Sequence, residues 1–382
     1  MRMENGNGIP DRRRQSRSSI YRHLYSARDF CSRQSLARDL GLSLPTVYQN
    51  LSRLMEAGLV QDSGEQQSTG GRKASGLSIV PDARLAVGIS VTERRLRLAA
   101  VDLLLHERAY RELSIPSVSS FSGLGGLLGQ ALEGFLDDSR IDRTRLLGVG
   151  IALPAVLSPD SRRITAAPTL HLEDTSLEGL TDHVAYPAFV ENDAACGGYA
   201  EWFVRGTRQN MAYLSLENGV GGAILFGGGP YQGNNRRSGE FGHLCVEPGG
   251  LRCACGRQGC LEAYCSPRRV RAALGVSLEE FFSVLERHGP GYEEYAALWD
   301  NMLRHLAIAI TNIRMALDCD VVLGGLLSEY LAPYLSRLRE YVAGTDPFSG
   351  NADYLYLSAL RRHTVPLGVA LHFVADFLEQ VL

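Results

Sequence analysis

The sequence predicts two joined folds: a small module of three short helices, then a larger α/β domain made of two similar lobes. Three observations point to this. Apolar residues recur at helical spacing in short runs between Ile20 and Ala57. At Leu85 the texture changes to glycine-punctuated strands alternating with amphipathic helices, and a second unit of the same kind opens near Met211. With 382 residues and 45% apolar content, the chain can bury more than one core.

In the helical module, Ile20, Leu24 and Tyr25 share one helical face. Ser35, Leu36 and Leu40 give a second helix that stops at Gly41, and Ser43 opens a third that runs to about Ala57. The segment SRQSLARDLGLSLPTVYQNLSRLMEAGLV resembles the winged helix-turn-helix of bacterial repressors, with Ala37 at the tight packing position and Leu42, Val47, Leu51 and Leu54 as the buried stripe. Gly58 to Val60 begin a wing that runs through GEQQSTGGRKASG to a strand at Leu77 to Val80. In that geometry the third helix enters the major groove, so Arg33, Ser43, Thr46, Tyr48, Gln49 and Arg53, with Arg72 and Lys73 on the wing, are the candidates to meet bases or phosphates. Three short helices also occur as plain packing modules, and charge adds weight against that alternative. Residues 1–84 hold 13 Arg or Lys against 8 Asp or Glu, a balance of +5 in a chain whose formal charge is −3. Such a basic front end suits a polyanion, although charge by itself fits a solvated tail equally well.

The α/β part begins with three strands, LAVGISV, RLRLAAVDLL and HERAYRELSI. A helix over Phe121 to Leu136 and the strand RLLGVGIALP follow. Beyond Met211, AYLSL and GGAILFGG read as strands, and long helices are expected around Ala296–Leu317, Tyr330–Val342 and Leu367–Val381. No apolar run is long enough for a membrane span, and the start lacks a signal peptide's apolar stretch, so the protein is expected in the cytoplasm.

Five of eight cysteines crowd between Cys245 and Cys265, while Cys31, Cys196 and Cys319 stand singly and read as buried small hydrophobes. In GHLCVEPGGLRCACGRQGCLE, His243 precedes the compact set Cys253, Cys255 and Cys260. One imidazole and three thiolates suit a tetrahedral structural zinc. The alternative is a set of reduced thiols in a glycine-rich loop. Cys245 and Cys265 lack the compact spacing and are read as structural.

EFGH followed by CxCGxxGCLE, and preceded by GVGGAILFGGGPYQGNNRRSG, resembles the signature of the ROK (repressor, ORF, kinase) family of sugar kinases and repressors. The resemblance runs from about Ser18 to the C-terminus. It implies a duplicated actin-like ATPase (ribonuclease H-like) fold whose zinc loop braces a sugar pocket. Within PAFVENDAACGGYAE, Asn192 and Asp193 match the family pair that grips sugar hydroxyls, Asp193 being the catalytic base in kinase members. Glu240, His243 and Glu262 match further hydroxyl ligands, the histidine touching both zinc and sugar. Carboxylates suit polyols because each accepts two hydroxyl hydrogen bonds. Taken singly, an Asn-Asp pair before a helix also reads as a cap.

Kinase members place an aspartate, two glycines and a threonine in the first strand and turn, where the transferred phosphate approaches. Here GISVTERRLRL puts Ser90 in place of the aspartate and Thr92 and Glu93 at the glycine positions, which hinders phosphate approach and removes a metal-organising charge. The glycines of 219–222 and Gly324–Gly325 are kept, though glycines there also close strand turns. Ala155 stands where the family often has a glycine lining the sugar pocket.

The division that follows is a flexible basic arm over 1–17, a winged helix-turn-helix over 18–80, a first lobe over 81–210 and a second over 211–382 containing the zinc loop 243–260. The expected protein is a homodimeric, sugar-responsive regulator without kinase activity. It would bind operator DNA and a sugar or sugar phosphate effector, and make no use of a membrane. The alternatives are an ATP-dependent sugar kinase with an appended DNA reader, and a zinc-stabilised module that binds no small ligand.

Overall fold

The computed structural model describes residues 9–27, 31–65, 75–116, 121–206, 209–348 and 350–381. The front module consists of helix α1 (Ile9–Ala27), strand β1 (Cys31–Ser32), α2 (Arg33–Leu40), α3 (Leu44–Glu56), β2 (Val60–Glu65) and β3 (Ser75–Ile79). Ser32 and Ser35 cap α2 reciprocally, each side chain accepting the other's backbone N–H at 3.0 Å. The helix ends at Gly41, whose φ of 63° is the left-handed conformation that closes the turn. Ser43 then caps α3 by accepting the Thr46 N–H at 3.3 Å. Val47, Leu51 and Leu54 of α3 bury against Ile20 and Leu24 of α1, and β3 pairs antiparallel with both β1 and β2.

One sequence expectation needs correction here. Helix α1 starts at Ile9, so residues 9–17 are its first half and not part of an arm. Their polar composition concealed a helix whose only breaker, Pro10, falls in the first turn, where proline is tolerated. The wing positions Arg72 and Lys73 lie outside the described residues.

The first lobe carries β4 (Leu85–Val91), β5 (Arg95–Asp102), β6 (Glu107–Ser114), α4 (Phe121–Asp138) and β7 (Leu146–Leu153). Next come the short strands β8 (Val156–Leu157), β9 (Arg163–Ala167) and β10 (Leu172–Ser176), and finally β11 (Ala188–Asn192) and α5 (Asp193–Arg205). The second half carries β12 (Met211–Leu216), β13 (Val220–Phe226) and β14 (Gly229–Tyr231). Four helices follow, α6 (Leu261–Cys265), α7 (Pro267–Leu274), α8 (Leu278–Arg287) and α9 (Tyr292–Leu317). The chain closes with β15 (Asp320–Gly324), α10 (Leu335–Thr345), β16 (Leu355–Leu357) and α11 (Thr364–Val381).

The two main sheets have the same wiring. One is ordered β6-β5-β4-β7-β11 and the other β14-β13-β12-β15-β16. In each, the first three strands form an antiparallel meander and the last two add in parallel. This repetition is the duplicated actin-like architecture expected from the sequence.

Helices are exchanged between the halves. α5 leaves the first sheet and packs on β12 and β13, while α11 returns from the second half to pack on β4, β7 and α5. The last helix, expected in the second lobe, thus completes the first. Glycines permit this: a Cβ on Gly88 of β4 would lie 1.8 Å from the Pro366 carbonyl oxygen, and one on Gly368 would lie 1.9 Å from that of Cys196 in α5. An apolar face in the sequence reveals that a helix is buried but not against which sheet. α10 also begins later than expected, at Leu335, after 3-10 turns at Leu326–Tyr330 and Ala332–Tyr334. Pro333 lies in this stretch and has no N–H to donate to an α-helical ladder.

The front module is fastened to the first lobe. Ser18 Oγ donates to the Val381 carbonyl at 2.7 Å and Tyr25 OH to that of Leu103 at 2.7 Å. Ile20, Leu24 and Leu77 join Val101, Leu103, Leu371 and Val374 in one continuous apolar cluster. Among the described residues, no helix is long and apolar enough to cross a membrane.

Candidate functional site

Because the two sheets are equivalent, their first turns face each other. The turn at 92–94 joins β4 to β5, and that at 217–219 joins β12 to β13. Between them lies a cleft of about 230 Å³. Its walls include Ser90, Thr92, Glu93 and Arg97, Glu217 to Gly221, and Asn192, Asp193, Glu240, His243 and Glu262.

The structure brings together all five residues singled out for sugar contact. Asn192 caps α5, its Oδ1 accepting the Ala195 N–H at 2.9 Å, and its amide donates to the Ala155 carbonyl at 3.0 Å. It is therefore a cap and a cleft residue at once, with one N–H and one lone pair uncommitted. Asp193 accepts its neighbour Ala194's N–H on Oδ1 at 2.8 Å. Burial pushes the Asp193 carboxyl up to about 7, opposed by that backbone bond and reinforced by the charges of Glu217 and Glu240. Burial also raises Glu240, against the pull of His243. Glu262 accepts the Val220 N–H at 2.9 Å, which fixes the glycine-rich turn against the metal loop.

That loop fits a tetrahedral metal. The ligand atoms of His243, Cys253, Cys255 and Cys260 all lie within 4.8 Å of one another, with Cys255 and Cys260 sulfurs 3.8 Å apart and Cys253 Sγ 4.0 Å from His243 Nδ1. Zinc–sulfur bonds of ~2.3 Å at tetrahedral angles place sulfurs about 3.8 Å apart. Cys245 and Cys265 stay out of the cluster; Cys245 is exposed, and Cys265 is buried with its thiol 3.3 Å from the Met302 carbonyl.

The residues around the two turns are furnished differently. Thr92 closes its turn through Arg95, accepting the Arg95 N–H at 3.1 Å. From β5, Arg97 reaches across to Glu217, Nη1 to Oε1 3.9 Å, while its Nε donates to Glu112 at 3.0 Å. Burial raises the Glu217 carboxyl, and Arg97 together with the Leu326 N–H holds it down. An ion pair thus spans the gap between the two turns. Sequence reasoning missed both residues: they lie 120 positions apart, and only the duplicated topology makes them neighbours.

On the front module, Tyr48, Gln49 and Arg53 are exposed along α3. Ser43 and Thr46 stand at its N-terminus with their hydroxyls 2.8 Å apart. Arg33 is more enclosed, donating to Asp62 at 3.0 Å with its guanidinium 5.5 Å from the Tyr48 ring.

Two lobes of duplicated actin-like design, with a winged module fastened behind the first, define a kinase-like ligand-binding fold joined to a DNA-binding one. The chain belongs to the ROK family, which it matches over residues 88–346, and residues 13–61 match a winged helix-turn-helix DNA-binding domain. It is 26% identical over 364 residues to the xylose repressor of Bacillus spizizenii, covering 92% of each chain. It is 29% identical over 311 residues to the N-acetylglucosamine repressor of Escherichia coli O157:H7, covering 80% of this chain and 72% of that one. Identity to the N-acetylmannosamine kinase of Escherichia coli O9:H4 is 30% over 244 residues, 58% of this chain and 83% of that one. Among solved structures, the fold agrees with a ROK family transcriptional regulator homologous to the E. coli MLC protein (TM-score 0.73, 18% identity, 97% of both chains). It also agrees with a ROK glucokinase from Streptomyces griseus in complex with glucose and AMPPNP (TM-score 0.64, 21% identity, 75% and 98% covered).

Proposed function

We propose that this protein is a sugar-responsive transcriptional repressor, in which a sugar held in the cleft alters the affinity of the winged helices for operator DNA. The observation that carries the proposal is the course of α11. Val365, at its start, lines the cleft, and Val381, at its end, accepts the Ser18 hydroxyl of α1. Eighteen helical residues span about 27 Å, and a packed helix moves as a unit, so a shift at the cleft is delivered to the DNA reader.

Asp193, Glu240 and Glu262 would accept the sugar's hydroxyl protons, and Asn192 would offer its remaining N–H and lone pair. His243, Cys253, Cys255 and Cys260 would hold a zinc ion. The metal supplies folding energy to the loop that carries His243 and leads into Glu262. Sugar must bind one lobe arrangement better than another, because a ligand of equal affinity for both shifts nothing. A homodimer would set two copies of α3 into successive major grooves of a two-fold site, with Tyr48, Gln49 and Arg53 facing the bases and phosphates. Sugar closes the lobes, changes that spacing and releases the DNA.

A second reading, a sugar kinase with an appended DNA reader, draws on the Asp193 carboxyl at about 7, where a general base is well poised. Ser90 and the Arg97–Glu217 pair weigh against it, because they put a hydroxyl and an ion pair where phosphate and its metal would approach. Both readings meet in one experiment, a thermal-shift panel of D-xylose, D-glucose, N-acetyl-D-glucosamine, N-acetyl-D-mannosamine and their phosphates, with ADP release measured in parallel. A sugar that raises the melting temperature of wild type but not of Asp193→Ala, with no ADP formed, is the expected result. Sugar-dependent ADP release would establish the kinase, and no shift with any sugar would overturn the sugar site.

A further inference from the structure

Behind the cleft lies a second cavity, of about 310 Å³, that no part of the proposed sugar contact uses. Glu191 and Arg236 line it, and neither lines the cleft. Arg236 has a φ of 52°, in the left-handed region that favours glycine. A long side chain held in that conformation marks a position where the surroundings over-determine the backbone, and such positions concentrate at functional sites.

What holds Arg236 is visible. Its guanidinium grips both oxygens of Glu191, and the two side chains are each only 12% exposed. Its other nitrogen donates to Ser161 Oγ, on the turn between β8 and β9, at 2.9 Å. Glu191 in turn accepts the backbone N–H of Asn192 at 2.8 Å and the Gln232 amide at 3.2 Å.

One buried ion pair therefore joins three segments that furnish the cleft. The first is the end of β11, which continues into Asn192 and Asp193. The second is the loop after β14, which runs from Gln232 through Arg236 to Glu240 and His243. The third is the β8–β9 hairpin, which follows directly on Ala155, the residue whose carbonyl receives the Asn192 amide. Gly239, three residues past Arg236, is pressed so close to the Gly222 carbonyl that a Cβ would lie 2.6 Å from it. The loop is thus held at Arg236 and again at Gly239, the residue just before Glu240.

We infer that Glu191 and Arg236 are a positioning pair which, without touching the ligand, sets the separation of the Asp193 and Glu240 walls and thereby the affinity and selectivity of the cleft for its sugar. The inference rests on the reading of the cleft as a sugar site. Arg236 suits this role because one nitrogen of its planar guanidinium meets Glu191 while another donates to Ser161, two partners held in a fixed fork that the single nitrogen of a lysine does not offer.

The test uses the full-length, zinc-loaded protein and whichever sugar of the panel above gives the largest thermal shift, with its C4 epimer as second ligand, titrated by calorimetry. Arg236→Gly removes the guanidinium while relieving the left-handed backbone, and Glu191→Gln keeps an acceptor for Asn192 but discards the charge. Each is expected to weaken sugar binding at least tenfold and to narrow the preference between epimers, with zinc content and sugar-free DNA binding unchanged. Arg236→Lys is expected to recover little of the loss. In a double-mutant cycle with Asp193→Ala, the two losses should sum to less than additive, because the pair acts in part through Asp193. Additive losses in that cycle, or a folded variant that binds both epimers as wild type does, would overturn the inference while leaving the sugar site intact. If Arg236→Gly does not fold, Glu191→Gln carries the same comparison. A wild-type protein that binds no sugar overturns the sugar site and this inference together.

Discussion

Two groups of cleft residues, each drawn from both halves of the duplicated fold, are furnished differently. In one, Asp193, Glu240 and Glu262 gather beside the loop of His243, and burial raises the carboxyls of Asp193 and Glu240. In the other, Arg97 lies 3.9 Å from Glu217 across the gap and donates to Glu112, and Thr92 closes its own turn. On the function proposed above, the first group meets the sugar and the second does not.

The largest way to break this contrast is to remove the metal loop. Substituting Cys253 and Cys255 together by serine should bring bound metal close to zero and unfold the loop, since structural zinc contributes ~10 kcal/mol or more to such loops. Metal analysis and calorimetry check this; a double variant that still binds sugar with wild-type affinity would sever the loop from the first group. Next in size is Asp193→Ala. Losing a hydrogen-bonded charge costs about 1.5–3 kcal/mol, so sugar affinity should fall roughly 10- to 150-fold.

A smaller effect follows from acidity. With the Asp193 carboxyl at about 7 instead of its ordinary 3.8, the folded chain keeps a proton that the unfolded chain has lost between those values. The stability this group contributes is present below about pH 4 and is lost as pH rises through 7. Sugar hydroxyls favour the ionised form, so binding should strengthen as pH rises, by up to about tenfold per unit below 7, with proton release in calorimetry. A pH-independent affinity between 5.5 and 8 would remove Asp193 from the ligand set. The smallest effects are expected in the second group. Ser90→Asp should leave ADP release at background because Arg97 and Glu217 still span the gap. Glu217→Ala should change sugar affinity by less than about fivefold, since a partly exposed ion pair contributes ~1 kcal/mol or less.

These features were unequally legible in the sequence. Local devices could be read directly: the turn glycine at Gly41, the cap at Ser43, the alternating strands of the first lobe and the compact His243–Cys260 metal set all depend on residues close together in the chain. Asn192 and Asp193 were legible as a pair, but the double duty of Asn192 as helix cap and cleft residue needed the position of Ala155. The return of α11 to the first sheet, the Arg97–Glu217 bridge and the Glu191–Arg236 pair were not legible, because each joins residues that only topology brings together. The left-handed backbone of Arg236 also leaves no trace, since glycine would have announced it and arginine hides it.

The central claim, that the cleft and the DNA reader are coupled, is tested most directly by anisotropy titration of labelled upstream DNA with and without a saturating sugar, on wild type and Asp193→Ala in parallel. The account predicts that sugar lowers the DNA affinity of wild type at least tenfold and leaves that of Asp193→Ala unchanged. A sugar that binds the cleft yet leaves DNA affinity untouched, or that lowers it equally in both proteins, would contradict it.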